Sequence, residues 1–373
     1  MKKSDFFIIC RIFAVMAVVV CVCIFAACDK EDNKEEILYT VTFDADGGNN
    51  IDPIKVVRGE TMGDKFPSPS RAGYEFSGWY KGAEMYTADT IISNDVDLKA
   101  SWKLIVIKVD GIFEIFDTFK DENYSPPSGF DTKISGAAYG TLTEKSYTSK
   151  TTGAIRKCYV YTPPGYDSKQ TYPVLYLLHG IGGTHAEWLD GKPNEILSNL
   201  INSGKAKPMI VVMPNVRAMN PDSVPSNQTS TEAVAAFHNF INDLRNDLMP
   251  YMKRNYPVSK RRDECAIAGL SMGAMESLHI GIRMPETFGY IGSFSAAPAM
   301  PLTAAQMTLP DEWKDNTFFM LCCGTEDNLI SQSQNYNKNL VDNGIRTAYY
   351  TITGGHDFNV WKNGLYYFAR CIF

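Results

Sequence analysis

The sequence lacks a surplus of positive charge, a clustered cysteine motif and a long interior apolar run. Its 373 residues include 36 Lys and Arg against 42 Asp and Glu, which gives a formal net charge of −6. Because no basic cluster occurs, we exclude nucleic acid and other anionic polymers as the main partner. The sequence contains no CxxC pair and no His/Cys spacing typical of zinc sites, so we predict neither a metal nor an organic cofactor.

The apolar stretch 12–27 follows Lys2, Lys3 and Arg11 and is too short for a comfortable membrane span, which predicts a secretory signal over residues 1–27. Its last residues, Phe25-Ala26-Ala27-Cys28, resemble the lipobox of bacterial lipoproteins. The resemblance implies lipidation of Cys28, with an ordinary signal peptide and a chance cysteine as the alternative. The charged tether 28–38 resembles the export signal of Bacteroides-type surface lipoproteins, so we expect an outer-membrane protein exposed at the cell surface.

Residues 39–103 predict a small β-rich module, because period-two runs are separated by Asp-Gly-Gly and proline-containing turns. Its segments 42–48 and 71–80 resemble the Listeria-Bacteroides repeat of bacterial surface proteins, which implies a β-grasp-like fold. Residues 104–128, with an apolar strand candidate and a Ser-Pro-Pro-Ser segment, are interpreted as a linker.

Residues 129–373 predict a single α/β domain, because apolar strand candidates such as 209–213 alternate with helical patterns such as 233–252. We expect a mostly parallel sheet with helices on both faces. The cysteines that remain after removal of the signal lie in apolar strand contexts and are interpreted as buried thiols. One disulfide between two of them is the alternative interpretation.

Ser271 lies in Gly269-Leu270-Ser271-Met272-Gly273, directly after the apolar run 265–268. This pattern is typical of a nucleophile elbow, a sharp strand-to-helix turn that exposes the serine Oγ at a helix N-terminus. Flanking glycines relieve the crowding of that turn. The pattern therefore predicts a serine hydrolase, provided that a base and an acid follow in the chain.

Two of the five histidines, His279 and His356, lie C-terminal to the serine. His279 falls two turns into the helix that begins at the elbow and cannot reach back to Oγ, so it is interpreted as an ordinary helix residue. His356 follows the β-rich run 347–352 in a Gly-Gly-His-Asp loop, where a catalytic base is expected. We predict His356 as the general base.

The acid is expected after the buried strand 317–323, which ends in Gly-Thr-Glu-Asp-Asn. Asp327 is favoured over Glu326, because the shorter side chain is the usual orienting group. Asp357 adjoins the base in sequence, and a neighbour on a turning loop rarely faces the imidazole Nδ1.

A second glycine-rich turn, His179-Gly180-Ile181-Gly182-Gly183, follows the apolar strand 172–178. Such a turn lets a backbone N–H point at the substrate carbonyl. The backbone amides of Ile181 and Met272 are therefore predicted as the oxyanion hole, and His179 is interpreted as structural.

Taken together, five segments resemble the feruloyl and acetyl-xylan esterases of carbohydrate esterase family one, in the esterase D branch of the α/β-hydrolases. They cover the whole predicted domain in the expected order and are 161–166, 175–183, 266–273, 323–327 and 354–361. The resemblance implies Ser271 as nucleophile, His356 as base and Asp327 as acid. Ala274 stands where many relatives have glycine, which affects only local helix packing.

We expect a hydrolase that releases ferulate from a plant polysaccharide such as arabinoxylan through an acyl-enzyme. Trp188 and Trp361 are candidate walls for the aromatic acid, with membership of the core as the alternative for both. The same branch contains acetyl-xylan and siderophore esterases, so fold analogy does not fix the acyl group. A non-catalytic surface glycan-binding protein is the alternative of another class.

Overall fold

The computed structural model describes residues 36–71, 74–104 and 111–373, which form two compact units. Cys28 and the predicted signal lie outside the described residues. In the part of the chain that the structure describes, no helix is long and apolar enough to cross a membrane. Each unit has a hydrophobic core of its own.

The first unit is a five-stranded sheet in the order β2-β1-β5-β3-β4. Its strands are β1 Leu38–Asp44, β2 Ile54–Val57, β3 Tyr74–Lys81, β4 Glu84–Tyr86 and β5 Val96–Leu104. Trp79 is fully buried at the centre and donates its indole N–H to the carbonyl of Pro67 at 2.8 Å. The β-rich character predicted for this module is confirmed.

The second unit is built on an eight-stranded sheet in the order β13-β12-β11-β10-β8-β9-β7-β6. The strands are β6 Thr141–Ser149, β7 Ala154–Thr162, β8 Val174–Leu178, β9 Ile210–Pro214, β10 Cys265–Leu270, β11 Tyr290–Phe294, β12 Phe318–Gly324 and β13 Thr347–Ile352. β6 pairs with β7 and β7 with β9 in antiparallel fashion. All other neighbours run parallel, so the sheet is mixed but mostly parallel.

Helices cover both faces of this sheet. They are α1 Ile112–Thr118, α2 Pro193–Asn202, α3 Thr231–His238, α4 Phe240–Asp243, α5 Met249–Asn255, α6 Met272–Arg283, α7 Asp311–Lys314, α8 Ile330–Asp342 and α9 Phe358–Cys371. Alternate residues of a strand point to opposite faces. Val174, Tyr176 and Leu178 of β8 thus join the core beneath α3, α4, α5, α6 and α8, while Leu175 and Leu177 join the core beneath α1, α2 and α9. The predicted α/β-hydrolase architecture is confirmed.

The segment 104–128 differs from the predicted linker. It contains α1 and the 3-10 turn Phe119–Glu122, and Ile112, Phe116 and Phe119 are buried in the core of the second unit. Their spacing of four and three residues places them on one helical face. This face packs in the core of the second unit, so the segment is part of that unit and the linker interpretation is wrong here.

The single helix predicted over 233–252 is also broken. After α3 and α4 the backbone forms a π-helical turn, Leu244–Leu248, and then continues as α5. The carboxylate of Asp243 accepts from Tyr147 at 2.6 Å, and that of Asp247 accepts from the amide of Lys150 at 3.0 Å. Both carboxylates thus bind β6 or the turn after β6 at the place where the helix becomes π-helical. The hydrophobic pattern of the sequence does not predict such polar contacts.

Candidate active site

Ser271 occupies the sharp turn between β10 and α6. Its backbone adopts φ 53° and ψ −117°, a conformation that residues with a side chain rarely adopt. The Ser271 amide donates to the carbonyl of Phe294 at 3.0 Å, and its carbonyl accepts from the amide of Ala297 at 3.0 Å. Bonds to the end of the neighbouring strand β11 therefore hold the strained turn in place.

Close approach of backbone segments explains the glycines beside the serine. A Cβ atom on Gly273 would lie 2.5 Å from the carbonyl oxygen of His179 and 2.6 Å from that of Leu178. A Cβ on Gly269 would lie 2.5 Å from the carbonyl carbon and oxygen of Gly273. The elbow and the end of β8 pack together only because these side chains are absent.

We therefore expect Gly273→Ala to lower the free energy of unfolding by about 1–3 kcal/mol, the usual cost of overpacking. Chemical denaturation followed by circular dichroism measures it. Gly182→Ala is the control, because the nearest atom to its added Cβ, in Gln228, lies 3.5 Å away. Equal stability of the two variants would contradict the packing argument.

The structure brings Ser271, His356 and Asp327 together at the carboxyl edge of the sheet. His356 Nε2 lies 2.9 Å from Ser271 Oγ, and His356 Nδ1 lies 2.9 Å from Asp327 Oδ2. Ser271 follows β10, Asp327 follows β12, and His356 follows β13. Carboxyl ends of parallel strands meet at one edge, which is why residues so distant in sequence form one hydrogen-bonded chain.

Asp327 is buried and accepts several hydrogen bonds. Burial alone would raise its pKa, yet hydrogen bonds from the Leu329 amide, Ser295 and His356 outweigh burial and lower the pKa below its usual value. The Leu329 amide donates to Oδ1 at 2.8 Å. The carboxylate is thus held ionised, with one oxygen aimed at the imidazole.

The two alternative acids have other positions. Glu326 is exposed, and its backbone amide donates to the carbonyl of Gly354 at 2.9 Å. Asp357 caps α9, because its side chain accepts from the amide of Asn359 at 2.8 Å. Neither carboxylate orients His356 in the structure.

The sequence predicts the backbone amides of Ile181 and Met272 as the oxyanion hole. Met272 is the first residue of α6, where the positive end of the helix dipole lies. In residues 111–373 neither the Met272 amide nor the Ile181 amide donates a hydrogen bond within the protein. Both donors are therefore available, and their role as an oxyanion hole stays a prediction.

Side chains behind the glycine-rich turn fix its path. The amide of Gly180 donates to Glu187 Oε2 at 2.6 Å, and the carbonyl of Ile181 accepts from the guanidinium of Arg217. Burial raises the pKa of Glu187 and lowers that of Arg217. The two groups bind the backbone of the turn at Gly180 and at the Ile181 carbonyl, and neither binds the Ile181 amide.

His179 has a structural position. Its Nδ1 lies 2.6 Å from the carbonyl of Gly180, and its Nε2 accepts from the amide of Val216 at 2.8 Å. Nε2 also lies 3.0 Å from Asn215 Oδ1, and donation by the Val216 amide to Nε2 places the proton of a neutral ring on Nδ1. Burial lowers the pKa of His179 to about 4, consistent with a neutral ring that ties the turn to the end of β9.

The two tryptophans predicted as pocket walls differ in position. Trp188 is 1% exposed, and its indole N–H donates to the carbonyl of Leu178 at 2.9 Å. A side chain with so little exposed surface belongs to the core, which was the alternative interpretation of Trp188. Trp361 is 8% exposed and packs edge-on against the His356 ring, with centroids 5.0 Å apart. It contacts the predicted base directly.

Sequence reasoning missed Ser295, Glu187 and Arg217. Ser295 directly follows β11 and bonds the Asp327 carboxylate, so a survey of polar residues after every strand would have found it. Glu187 and Arg217 act on the turn from separate loops. No local pattern marks residues whose partners are set by tertiary packing.

Fold and site together define the class as an α/β-hydrolase. The Esterase family model matches residues 149–367, and the chain belongs to this family; its second unit is a carboxylic ester hydrolase. Residues 39–101 match the Listeria-Bacteroides repeat domain, which confirms the nature of the first unit.

Two similar proteins are named as endo-1,4-beta-xylanases, one of them as a feruloyl esterase as well. An endo-1,4-beta-xylanase/feruloyl esterase of Xylanibacter ruminicola is 30% identical over 63% of this chain and 32% of that protein. Endo-1,4-beta-xylanase Y of Acetivibrio thermocellus is 25% identical over 48% of this chain and 15% of its own length. The chain thus spans less than a third of either relative.

A solved structure matches over nearly its full length. The CE1 ferulic acid esterase of Anaeromyces mucronatus, in complex with ferulic acid, is 31% identical with a TM-score of 0.62. The match covers 67% of this chain and 97% of that one. The resemblance drawn from the five motifs is therefore confirmed at the level of the family.

Proposed function

We propose that the second unit hydrolyses esters of hydroxycinnamic acids, with ferulate on a plant polysaccharide such as arabinoxylan as the substrate. The observation that carries the proposal is the hydrogen-bonded chain from Ser271 through His356 to Asp327. Likeness to the ferulic acid esterase of Anaeromyces mucronatus supports the choice of acyl group.

Acylation begins when Ser271 Oγ attacks the ester carbonyl and its proton passes to His356 Nε2. The 2.9 Å separation of Oγ and Nε2 suits that transfer. Asp327 keeps the other ring proton on Nδ1 and stabilises the imidazolium. The amides of Ile181 and Met272 donate to the oxyanion, and His356 then gives its proton to the departing sugar oxygen, which leaves as a hydroxyl group.

Deacylation repeats these steps with water. His356 Nε2 accepts a proton from water as its oxygen attacks the acyl-enzyme, and returns the proton to Ser271 Oγ when the acyl bond breaks. The acid product keeps the second proton of the water, leaves as ferulic acid and ionises to ferulate in solution, and the serine hydroxyl is restored. The protein groups named here balance every proton without a cofactor.

We also propose that Cys28 carries the lipid anchor of an outer-membrane protein whose esterase faces the medium. The lipobox-like sequence before Cys28 and the charged residues after it support this placement. Each buried CH₂ of an acyl chain contributes about 0.8 kcal/mol to membrane binding. Such an anchor would place ester cleavage at the cell surface.

Hydrolysis of methyl ferulate beside an aryl acetate tests the proposed substrate class. We expect turnover of methyl ferulate by the wild-type chain and a kcat lower by roughly 10⁵-fold or more in Ser271→Ala. An aromatic slot gains from burying the ring, whereas a pocket shaped for acetate excludes it.

The remaining outcomes would each overturn the substrate assignment. Turnover of acetate alone would indicate an acetyl esterase. Cleavage of a catecholate siderophore ester without ferulate turnover would indicate a siderophore esterase. Inactivity on every ester would favour a glycan-binding protein.

A further inference from the structure

A second cluster of ionisable side chains lies outside the triad, on the nucleophile helix α6 and at the end of α3. Glu276 and His279 belong to α6, and His238 is the last residue of α3. The Glu276 carboxylate is 0% exposed, whereas the His238 side chain is 25% exposed. The catalytic steps above use none of the three.

Both imidazoles direct Nδ1 at the carboxylate. His279 Nδ1 lies 3.0 Å from Oε1 of Glu276, and His238 Nδ1 lies 3.4 Å from Oε2. The two rings stand almost perpendicular, at 85°, with centroids 6.0 Å apart. One ligand atom from each residue lies within 4.8 Å of the other two.

These distances suit a shared cation. Ligands about 2.1 Å from a tetrahedral zinc ion lie roughly 3.4 Å from one another. The two nitrogen–oxygen separations of 3.0 and 3.4 Å are close to that value, although each involves a different oxygen of Glu276. One ligand atom from each residue already lies within 4.8 Å of the others, so side-chain rotations would bring all three to the spacing of a shared ion. The exposed edge of His238 leaves room for water as a further ligand.

The donor set selects the class of ion. Two imidazoles and one carboxylate favour zinc and neighbouring transition ions, while calcium and magnesium prefer an all-oxygen set. Binding requires the Nδ1 lone pair of each ring, so the proton of each neutral ring moves to Nε2 without a change in charge. A divalent ion would also offset the buried negative charge of Glu276.

We propose that His238, Glu276 and His279 form a binding site for a divalent transition ion, with zinc as the expected occupant. The ion joins the end of α3 to α6, the helix whose first turn adjoins the nucleophile. Its role is to stabilise this packing, and it takes no part in ester cleavage. The site is independent of the ester that the enzyme hydrolyses.

Hydrogen bonds alone are the competing explanation, because two ring N–H groups already satisfy the carboxylate. Zinc titration of the untagged, metal-free full chain by equilibrium dialysis separates the two. We expect wild type to bind one zinc ion more than His238→Ala does. Saturating zinc should raise the Tm of wild type by about 5 °C and leave that of the variant unchanged.

His185→Ala is the matched control. His185 Nε2 pairs with Glu144 Oε1 at 2.8 Å, so this site offers one imidazole and one carboxylate instead of three ligands. Zinc binding and the Tm shift should persist in that variant. Glu276→Gln, which keeps the side-chain shape, should lose at least tenfold in zinc affinity.

Equal zinc stoichiometry and equal Tm response in wild type and His238→Ala would overturn the proposal. The comparison within wild type, with and without zinc, holds even if Glu276→Gln unfolds. Ester hydrolysis by His238→Ala should match wild type, so loss of the metal site and failure of the esterase assignment remain distinguishable.

Discussion

Ser271→Ala is expected to lower kcat for ester hydrolysis by roughly 10⁵- to 10⁶-fold. The variant removes the atom that attacks the carbonyl and leaves the amides of Ile181 and Met272 in place. Residual activity should therefore remain above the uncatalysed rate. Steady-state assays with methyl ferulate at high enzyme concentration measure the loss.

Ser277→Ala is the matched control for this substitution. Ser277 lies on the same helix, and its hydroxyl donates to the carbonyl of Gly273 at 2.7 Å. The same chemical change there should leave kcat within a few-fold of wild type. A comparable fall in both variants would indicate damage to α6 rather than loss of a nucleophile.

Asp327→Asn is expected to reduce kcat by about 10⁴-fold with little change in fold. The amide has nearly the shape of the carboxylate, yet it cannot stabilise the imidazolium or fix the tautomer as the charged group does. The lowered pKa of Asp327 means that the wild-type group is ionised at neutral pH, so the variant removes a full charge.

The neighbouring acid supplies the control. Glu326→Gln changes the same functional group one residue earlier, on an exposed side chain. Activity should stay near the wild-type value. A large loss in Glu326→Gln with activity retained in Asp327→Asn would reverse the assignment of the acid.

The ionised state of Asp327 also affects stability in acid. Its pKa is lower in the folded chain than in the unfolded chain, so its contribution to stability is present above the unfolded value. The contribution is lost as pH falls through the folded pKa. Asp327 is therefore expected to stabilise the folded chain at neutral pH and to lose this contribution in strong acid.

Sequence patterns located most of the site because the chemistry depends on local signals. A glycine-flanked serine after an apolar run, and polar loops after two later strands, singled out Ser271, Asp327 and His356, which the structure brings together along one sheet edge. The run 347–352 matches β13 at both ends. Parallel topology then makes neighbours of residues that are distant in the chain.

Tertiary contacts account for what the patterns missed. The helix over 233–252 is interrupted where Asp243 and Asp247 bind β6 and the turn after it. Glu187 reaches back to the amide of Gly180 from a 3-10 turn, and His238 meets Glu276 across two helices. Periodicity describes which face is apolar and does not specify a buried polar partner.

The most direct test of the account is labelling with a fluorophosphonate, followed by mass spectrometry of the peptide that contains Ser271. We predict one phosphonate per chain on Ser271, with hydrolysis of methyl ferulate lost in proportion to labelling. Labelling should be absent in Ser271→Ala and greatly slowed in Asp327→Asn. Full ferulate turnover by a chain labelled on Ser271, or modification of another residue with loss of activity, would contradict the proposed nucleophile.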